Sequence, residues 1–185
     1  FSGWLGAILV AATVLVAVIS LVWTPYDPTL AHPDVSLAGP SAEHLLGTDR
    51  FGRDTASRLM AGAQITVFVG LVAVGIAAVV GVPLGILAGM RRGTWADALV
   101  MRSADLLLAF PALLLAIIAG AVWGPSTLTA MIAIGIAGIP SFARVARSGT
   151  LQVITQDYIS SARISAVPGW KVAWRHILPL SLIHI

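Results

Sequence analysis

The 185-residue chain contains no cysteine. Disulfides, thiolate metal sites and cysteine nucleophiles are therefore excluded. Charge is also scarce: Asp, Glu, Lys and Arg make up 10% of the residues, against about a quarter in a soluble domain. Lys171 is the only lysine and follows Trp170, so the Gly-Lys-Ser/Thr core of a P-loop cannot occur. If ATP drives this protein, another chain binds it. Neither His-Glu-x-x-His nor Gly-x-Ser-x-Gly is present, and His32, His44, His176 and His184 are scattered, which argues against a metal site. No dense Lys/Arg run interleaves with aromatics, so the net charge of +3 does not indicate nucleic-acid binding. No ionisable residue falls at the middle of a long apolar stretch, where ion-coupled carriers usually need one. Asp105 comes closest. It lies three residues after Arg102, and an interfacial i,i+3 pair is expected there rather than a proton relay.

What the chain has instead is apolar sequence. Hydrophobic residues make up 58%, and the mean hydropathy is +0.94. This is the composition of an integral membrane protein with several spans. Residues 4–23 form an uncharged stretch of 20 with Trp at each end, as an interfacial belt places them. The chain opens on Phe1 rather than Met, so an incomplete N-terminus is expected. The first apolar run is too long for a signal-peptide core and lacks a cleavage site, so it reads as a retained span. Residues 59–90 carry no charge, and their spanning part is expected at 64–90. Residues 106–143 are too long for one helix and are divided by Trp123-Gly124-Pro125-Ser126 into spans near 106–122 and 127–143.

Four spans put residues 24–63 and 123–126 on one side, with Arg50, Arg53 and Arg58. The other side holds Arg91, Arg92, Arg102, Arg144, Arg147, Arg163, Lys171 and Arg175. Eight against three places the N-terminus and everything after residue 144 in the cytoplasm. Gly81, Gly85 and Gly89 share one helix face, where small residues allow close helix approach; the alternative is a lipid-facing helix with incidental glycines. Pro83, Pro111 and Pro140 are expected to kink their helices.

Two segments lie outside the spans. Residues 24–63 open with PYDP and pass Pro33 and Pro40, so they begin irregular. Asp54 is then an N-cap, with Arg58, Leu59 and Ala63 at helical spacing. The expectation is a short amphipathic helix on the outer membrane surface, serving as a connector or as a dock for an external partner. Residues 157–179, DYISSARISAVPGWKVAWRHILP, form a basic, amphipathic, turn-containing segment. It either touches a protein partner or rests on anionic lipid, and Trp170, Lys171 and Trp174 can also meet lipid.

Four blocks carry a family resemblance. GTDRFGRDTASRLMAGAQITVFVGL at 47–71 resembles the GTDxxGRDxxSRxxxGxxxS block of dipeptide/oligopeptide/nickel ABC importer permeases, C-type subunit. MRSADLLLAFPALLLA at 101–116 resembles their MRxxDxxLAFPxLLLA block. ARVARSGTLQVITQDYISSAR at 143–163 is similar to the approach to the cytoplasmic coupling loop. Residues 157–179 align without gaps to the EAA loop, typically YVEAARALGASDWRIIFRHILP, matching at Tyr158, Ala162, Arg163, Trp170, Arg175, His176, Ile177, Leu178 and Pro179.

The resemblance implies an all-α membrane protein, a polytopic helical bundle of the type I ABC importer kind, with four spans present of six expected. It divides the chain into an N-terminal span plus extracytoplasmic loop (1–61), an incomplete transmembrane domain (62–179) and a non-native tail (180–185). That tail, LSLIHI, replaces the Asn the family has after Pro179 and reads like a translated sequencing adapter. The implied ATPase-coupling residues are Tyr158, Ser160, Ser161, Ala162, Arg163, Ala166, Pro168 and Gly169. The family Glu is Ser160 and the family Gly is Ala166; the first change removes a carboxylate contact to the ATPase, and Pro168-Gly169 supplies a turn nearby. The implied partners are ABC ATPase subunits carrying ATP and Mg, a homologous B-type permease, an extracytoplasmic solute-binding protein and lipid. This chain itself would bind no cofactor and catalyse no reaction. The implied location is the prokaryotic inner membrane, and the implied cargo is a peptide, a nickel chelate or a glutathione-like solute. The alternatives are a secondary transporter or channel without an ATPase, or a non-transporting membrane scaffold.

Overall fold

The computed structural model describes residues 2–156, 159, 168–173 and 177–179. Helices make up most of them, and the chain falls into two compact units, Phe1–Gly70 and Leu71–Ile185. Helix α1 (Ser2–Ser20) exposes Trp4, Leu5, Ile8, Leu9 and Leu15, as a helix solvated by lipid tails does. Past Ser20 the chain turns and runs irregularly to a single 3-10 turn at Pro33–Val35. A β-bridge between Thr48 and Asp54 closes residues 24–54.

Helix α2 (Thr55–Met90) is continuous for 36 residues. The separate surface helix expected after Asp54 is therefore the first turns of α2. No Pro, Gly pair or capping signal interrupts residues 55–64, so nothing stops the helix from propagating. Its length of about 54 Å exceeds the ~30 Å hydrocarbon core, which leaves the turn bearing Arg58 outside lipid.

In the second unit, α3 (Trp95–Leu108) and α4 (Ala112–Trp123) pack against α5 (Thr127–Val153). The expected span at 106–122 is not one helix. It breaks at Ala109–Pro111 and bends by 84°. Pro111 has no N–H to donate and drives Phe110 away from helical geometry. Helix α4 has only 12 residues, about 18 Å, too short to cross alone. By contrast Pro83 and Pro140 sit inside α2 and α5 without ending them. Helix α5 continues ten residues past the expected end at 143, because Arg144, Arg147 and Thr150 all find partners there. Gly124, with φ of 92°, and Ser126, whose hydroxyl accepts from the Thr129 N–H, make the turn between α4 and α5.

The packing of α2 on α5 decides the number of crossings. Gly81 meets Ile139 and Phe142, Gly85 meets Ala143 and Ala146, and Gly89 meets Arg147 and Thr150. Both numbers rise together, so α2 and α5 run parallel. The chain must therefore recross between Met90 and Thr127, and only the bent α3–α4 pair can do it. Three helices are long and apolar enough to span, and the bent pair makes a fourth when taken as one broken span.

Candidate functional site

Residues 24–54 build a polar knot from the GTDRFGRD sequence. Gly47 and Gly52 turn the chain at φ of 70° and 74°. Each has a backbone carbonyl, that of Ala38 or His32, in the space a Cβ would need, so both positions demand glycine. The turns gather three N–H donors around Asp49: Phe51 N at 2.8 Å, Arg53 N at 3.0 Å and Arg53 Nε at 2.9 Å. Arg58 completes the set as an ion pair. Desolvation pushes the Asp49 carboxyl up, but the hydrogen bonds from Arg53 and Phe51 and the Arg53 charge outweigh it, and its pKa falls to about 2.

Asp54 caps α2. Its Oδ2 accepts from the Ser57 N–H and the Ser57 hydroxyl, both at 2.7 Å. Its Oδ1 lies 3.0 Å from His44 Nδ1. Asp54 is buried, yet these bonds hold its carboxyl below the usual value against desolvation. Ser57, fully buried, accepts from the Tyr26 N–H at 3.0 Å, and the Tyr26 and His44 rings lie 4.8 Å apart. The serine, histidine and aspartate do not form a catalytic triad. Ser57 donates to Asp54 rather than to His44, so the serine–histidine contact that a triad needs is missing. The arrangement anchors residues 24–54 to the start of α2.

At the Met90 end of the second unit lies the segment with the implied coupling residues. Tyr158, Ser160, Ser161, Ala162, Arg163 and Ala166 lie outside the described residues. Pro168 and Gly169 are described and exposed. The Pro168 carbonyl accepts from Lys171 N at 2.9 Å and Val172 N at 3.2 Å, which opens the short helix α6 (Gly169–Val172). Pro168-Gly169 thus begins a helical turn. Around them, Ile159, Val172 and Ile177 are almost fully buried in a cluster with Val82 and Ile86 of α2 and Ala146 and Val153 of α5. These three residues are therefore packed against both parallel spans at once. An apolar cleft of about 570 Å³ opens beside it, between Pro83, Leu87 and Met90 on one wall and Gly169, Ala173 and Leu178 on the other.

The three glycines of α2 lie in the seam beneath. A Cβ at Gly81 would stand 2.7 Å from the Ile139 carbonyl oxygen, at Gly85 2.8 Å from Ala146 Cβ, and at Gly89 2.6 Å from Thr150 Cβ. The Thr150 hydroxyl is turned back onto the Ala146 carbonyl at 2.7 Å and is satisfied without a partner outside α5.

Two ion pairs tie α3 to α5. Arg147 grips Asp97 with two bonds, Nε to Oδ1 at 2.7 Å and Nη2 to Oδ2 at 2.9 Å, and Asp97 also accepts from the Gly93 N–H at 3.1 Å. Such a bidentate pair fixes direction as well as distance. Arg144 pairs with Asp105 through Nη2 at 2.5 Å. The expected Asp105–Arg102 pair is thus replaced by a tertiary one. Local spacing brought Arg102 within reach, but α5 delivers a guanidinium to the same carboxylate. Sequence reasoning missed the Asp97–Arg147 pair altogether. The available signal was that Asp97 is the only acid between Asp54 and Asp105 in a chain that can ill support an unpaired one.

Comparison with known proteins bears on this architecture. The family model described as "Binding-protein-dependent transport system inner membrane component" matches residues 81–185. The chain is 39% identical over 180 residues to the dipeptide transport system permease protein DppC of Alkalihalophilus pseudofirmus, covering 97% of this chain and 59% of that relative. It is 42% identical over 147 residues to the glutathione transport system permease protein GsiD of Pectobacterium atrosepticum, covering 80% and 48%. It is 38% identical over 176 residues to the probable D,D-dipeptide transport system permease protein DdpC of Escherichia coli, covering 95% and 59%. The chain thus spans between 48% and 59% of the length of these relatives.

Proposed function

This chain belongs to the binding-protein-dependent transport system inner membrane components, and from that premise we propose that it is the C-type permease subunit of an ATP-driven importer for peptides or related small solutes. The observation that carries the reading is similarity along 97% of the chain to a dipeptide transport permease. ATP and Mg belong to ATPase subunits on other chains. A B-type permease completes the membrane part, and an extracytoplasmic binding protein delivers the solute to the side of residues 24–54. Residues 157–179 face the cytoplasm, and Tyr158, Ser160, Ser161, Ala162, Arg163, Ala166, Pro168 and Gly169 meet the ATPase.

The packing supplies a physical route for coupling. Ile159, Val172 and Ile177 are buried against α2 and α5 together, and those two spans touch through Gly81, Gly85 and Gly89. Close-packed helices move as a body rather than deform. A displacement of the segment by the ATPase would then tilt the pair, and the membrane part would switch between two packings biased by nucleotide bound elsewhere.

The test uses the intact permease co-expressed with its neighbouring ATPase and binding-protein genes. Replacing residues 158–166 by a Gly-Ser linker should abolish both co-purification of the ATPase and uptake of labelled dipeptide. Retained uptake with no ATPase bound to either form would favour a secondary transporter. Neither uptake nor an ATPase in the unsubstituted form would favour a scaffold.

A further inference from the structure

Helix α5 changes the chemistry of its exposed surface at Pro140. Before it, the exposed residues include Leu128, Ile132, Ile134 and Ile136. After it they are Ser141, Arg144, Val145, Ser148 and Gln152. Ile134, Ser141 and Ser148 repeat every seven residues, and Arg144 stands between the two serines at i+3 and i−4, so one helix face turns from apolar to polar along its length. Arg144 is joined there by Asp105 of α3, and the two side chains are 50% and 62% exposed.

The depth of this face follows from the α2 seam. Ala143 and Ala146 flank Gly85, six residues before Arg91, which puts the Arg144 backbone about 9 Å inside the level of Arg91. Ser141 lies beside Phe142, which meets Gly81, about 15 Å inside that level. Arg91 and Arg92 end the uncharged run of α2 and mark the membrane surface on that side. Lipid tails cannot solvate a half-exposed ion pair at that depth, and charges there face water or protein. Arg144 and Asp105 meet through one guanidinium nitrogen and one carboxylate oxygen. A dry protein contact would have to satisfy every remaining donor and acceptor, which water does at no cost in geometry.

We propose that Ser141, Arg144 and Ser148 of α5, with Asp105 of α3, line the water-filled path of the transported solute. The reading rests on the proposed transport function and names a solute class within it. A guanidinium and a carboxylate side by side complement a zwitterion, whose carboxylate exchanges onto Arg144 and whose ammonium onto Asp105. The serine hydroxyls donate to or accept from peptide groups in passing.

The absence of cysteine makes the test direct. Ser141→Cys, Ser148→Cys, Ile132→Cys and Ile136→Cys are placed singly in the assembled importer in membrane vesicles, with a charged, membrane-impermeant thiol reagent on both faces. The modification is read on this chain after its isolation. Ser141→Cys and Ser148→Cys should react about tenfold faster than the two isoleucine positions, because the thiolate forms and is reached only in water. A zwitterionic dipeptide should slow both serine positions, and its N-acetylated amide should not. Ser141→Cys reacting no faster than Ile132→Cys would overturn the proposal, whether protein or lipid covers the serine face. Fast labelling that the dipeptide leaves unchanged would overturn the solute class. Uptake by the unsubstituted chain is scored separately: no uptake sinks the transport reading, whereas uptake with an unreactive Ser141→Cys sinks this one alone.

Discussion

At the scale of residues, most of the chemistry outside the membrane is concentrated on two carboxylates. Asp49 and Asp54 both sit below the ordinary value of 3.8, Asp49 at about 2. A carboxyl depressed in the folded state adds stability that is complete above its unfolded pKa and is lost as pH falls through the folded one. The amide protons of Phe51 and Arg53, which donate to Asp49, should therefore keep constant protection from hydrogen exchange above pH 3.8 and lose it between 3.8 and about 2. With Asp49→Asn the protection should be weak at every pH, and a retained acid step in that variant would assign the effect elsewhere. Some of this was legible beforehand. Asp54 as the cap of a helix follows from its place before a helical run. His44 as its partner does not, because the two are ten residues apart and only the turns at Gly47 and Gly52 bring them together.

At the scale of elements, the seam between α2 and α5 is a contact that side chains would prevent. Gly85→Ala would force a methyl into the Ala143–Ala146 turn of α5, and overpacking of this kind costs about 1–3 kcal/mol. Gly75 lies in the same helix with nothing within 4 Å. There the same change should be neutral or stabilising by up to about 1 kcal/mol, as Ala is the better helix former. Thermal unfolding of the two variants in one detergent measures the contrast. Equal midpoints would mean that α2 and α5 do not touch at this seam in solution. The repeat of glycines every four residues is visible in the sequence, but its partner helix is not. The α3–α4 break was misread for a related reason. Pro111 signals a kink, whereas an 84° bend also needs α5 to receive both halves.

At the scale of the whole molecule, parallel α2 and α5 require the chain to cross back between them, which leaves the chain before α3 and after α5 on one side. Thr94→Cys and Thr155→Cys, both exposed, should react with an impermeant reagent from one face of sealed vesicles, and Ser126→Cys from the other. Thr94→Cys and Thr155→Cys reacting from opposite faces would mean that α3–α4 dips into the membrane without crossing. What the sequence determined by itself is the class and its rough layout. Long uncharged runs admit only helices in lipid, because every backbone group must be satisfied within the segment, and the scarcity of charge identifies those runs without a structure. The family blocks were likewise legible, since they are local strings. The tertiary structure decided the pairings: His44 with Asp54, Arg147 with Asp97, Arg144 with Asp105 rather than Arg102, and the three glycines with α5. Each joins residues whose meeting depends on how helices are placed. Local propensity cannot encode that, because the stabilising contact does not exist until both elements are docked.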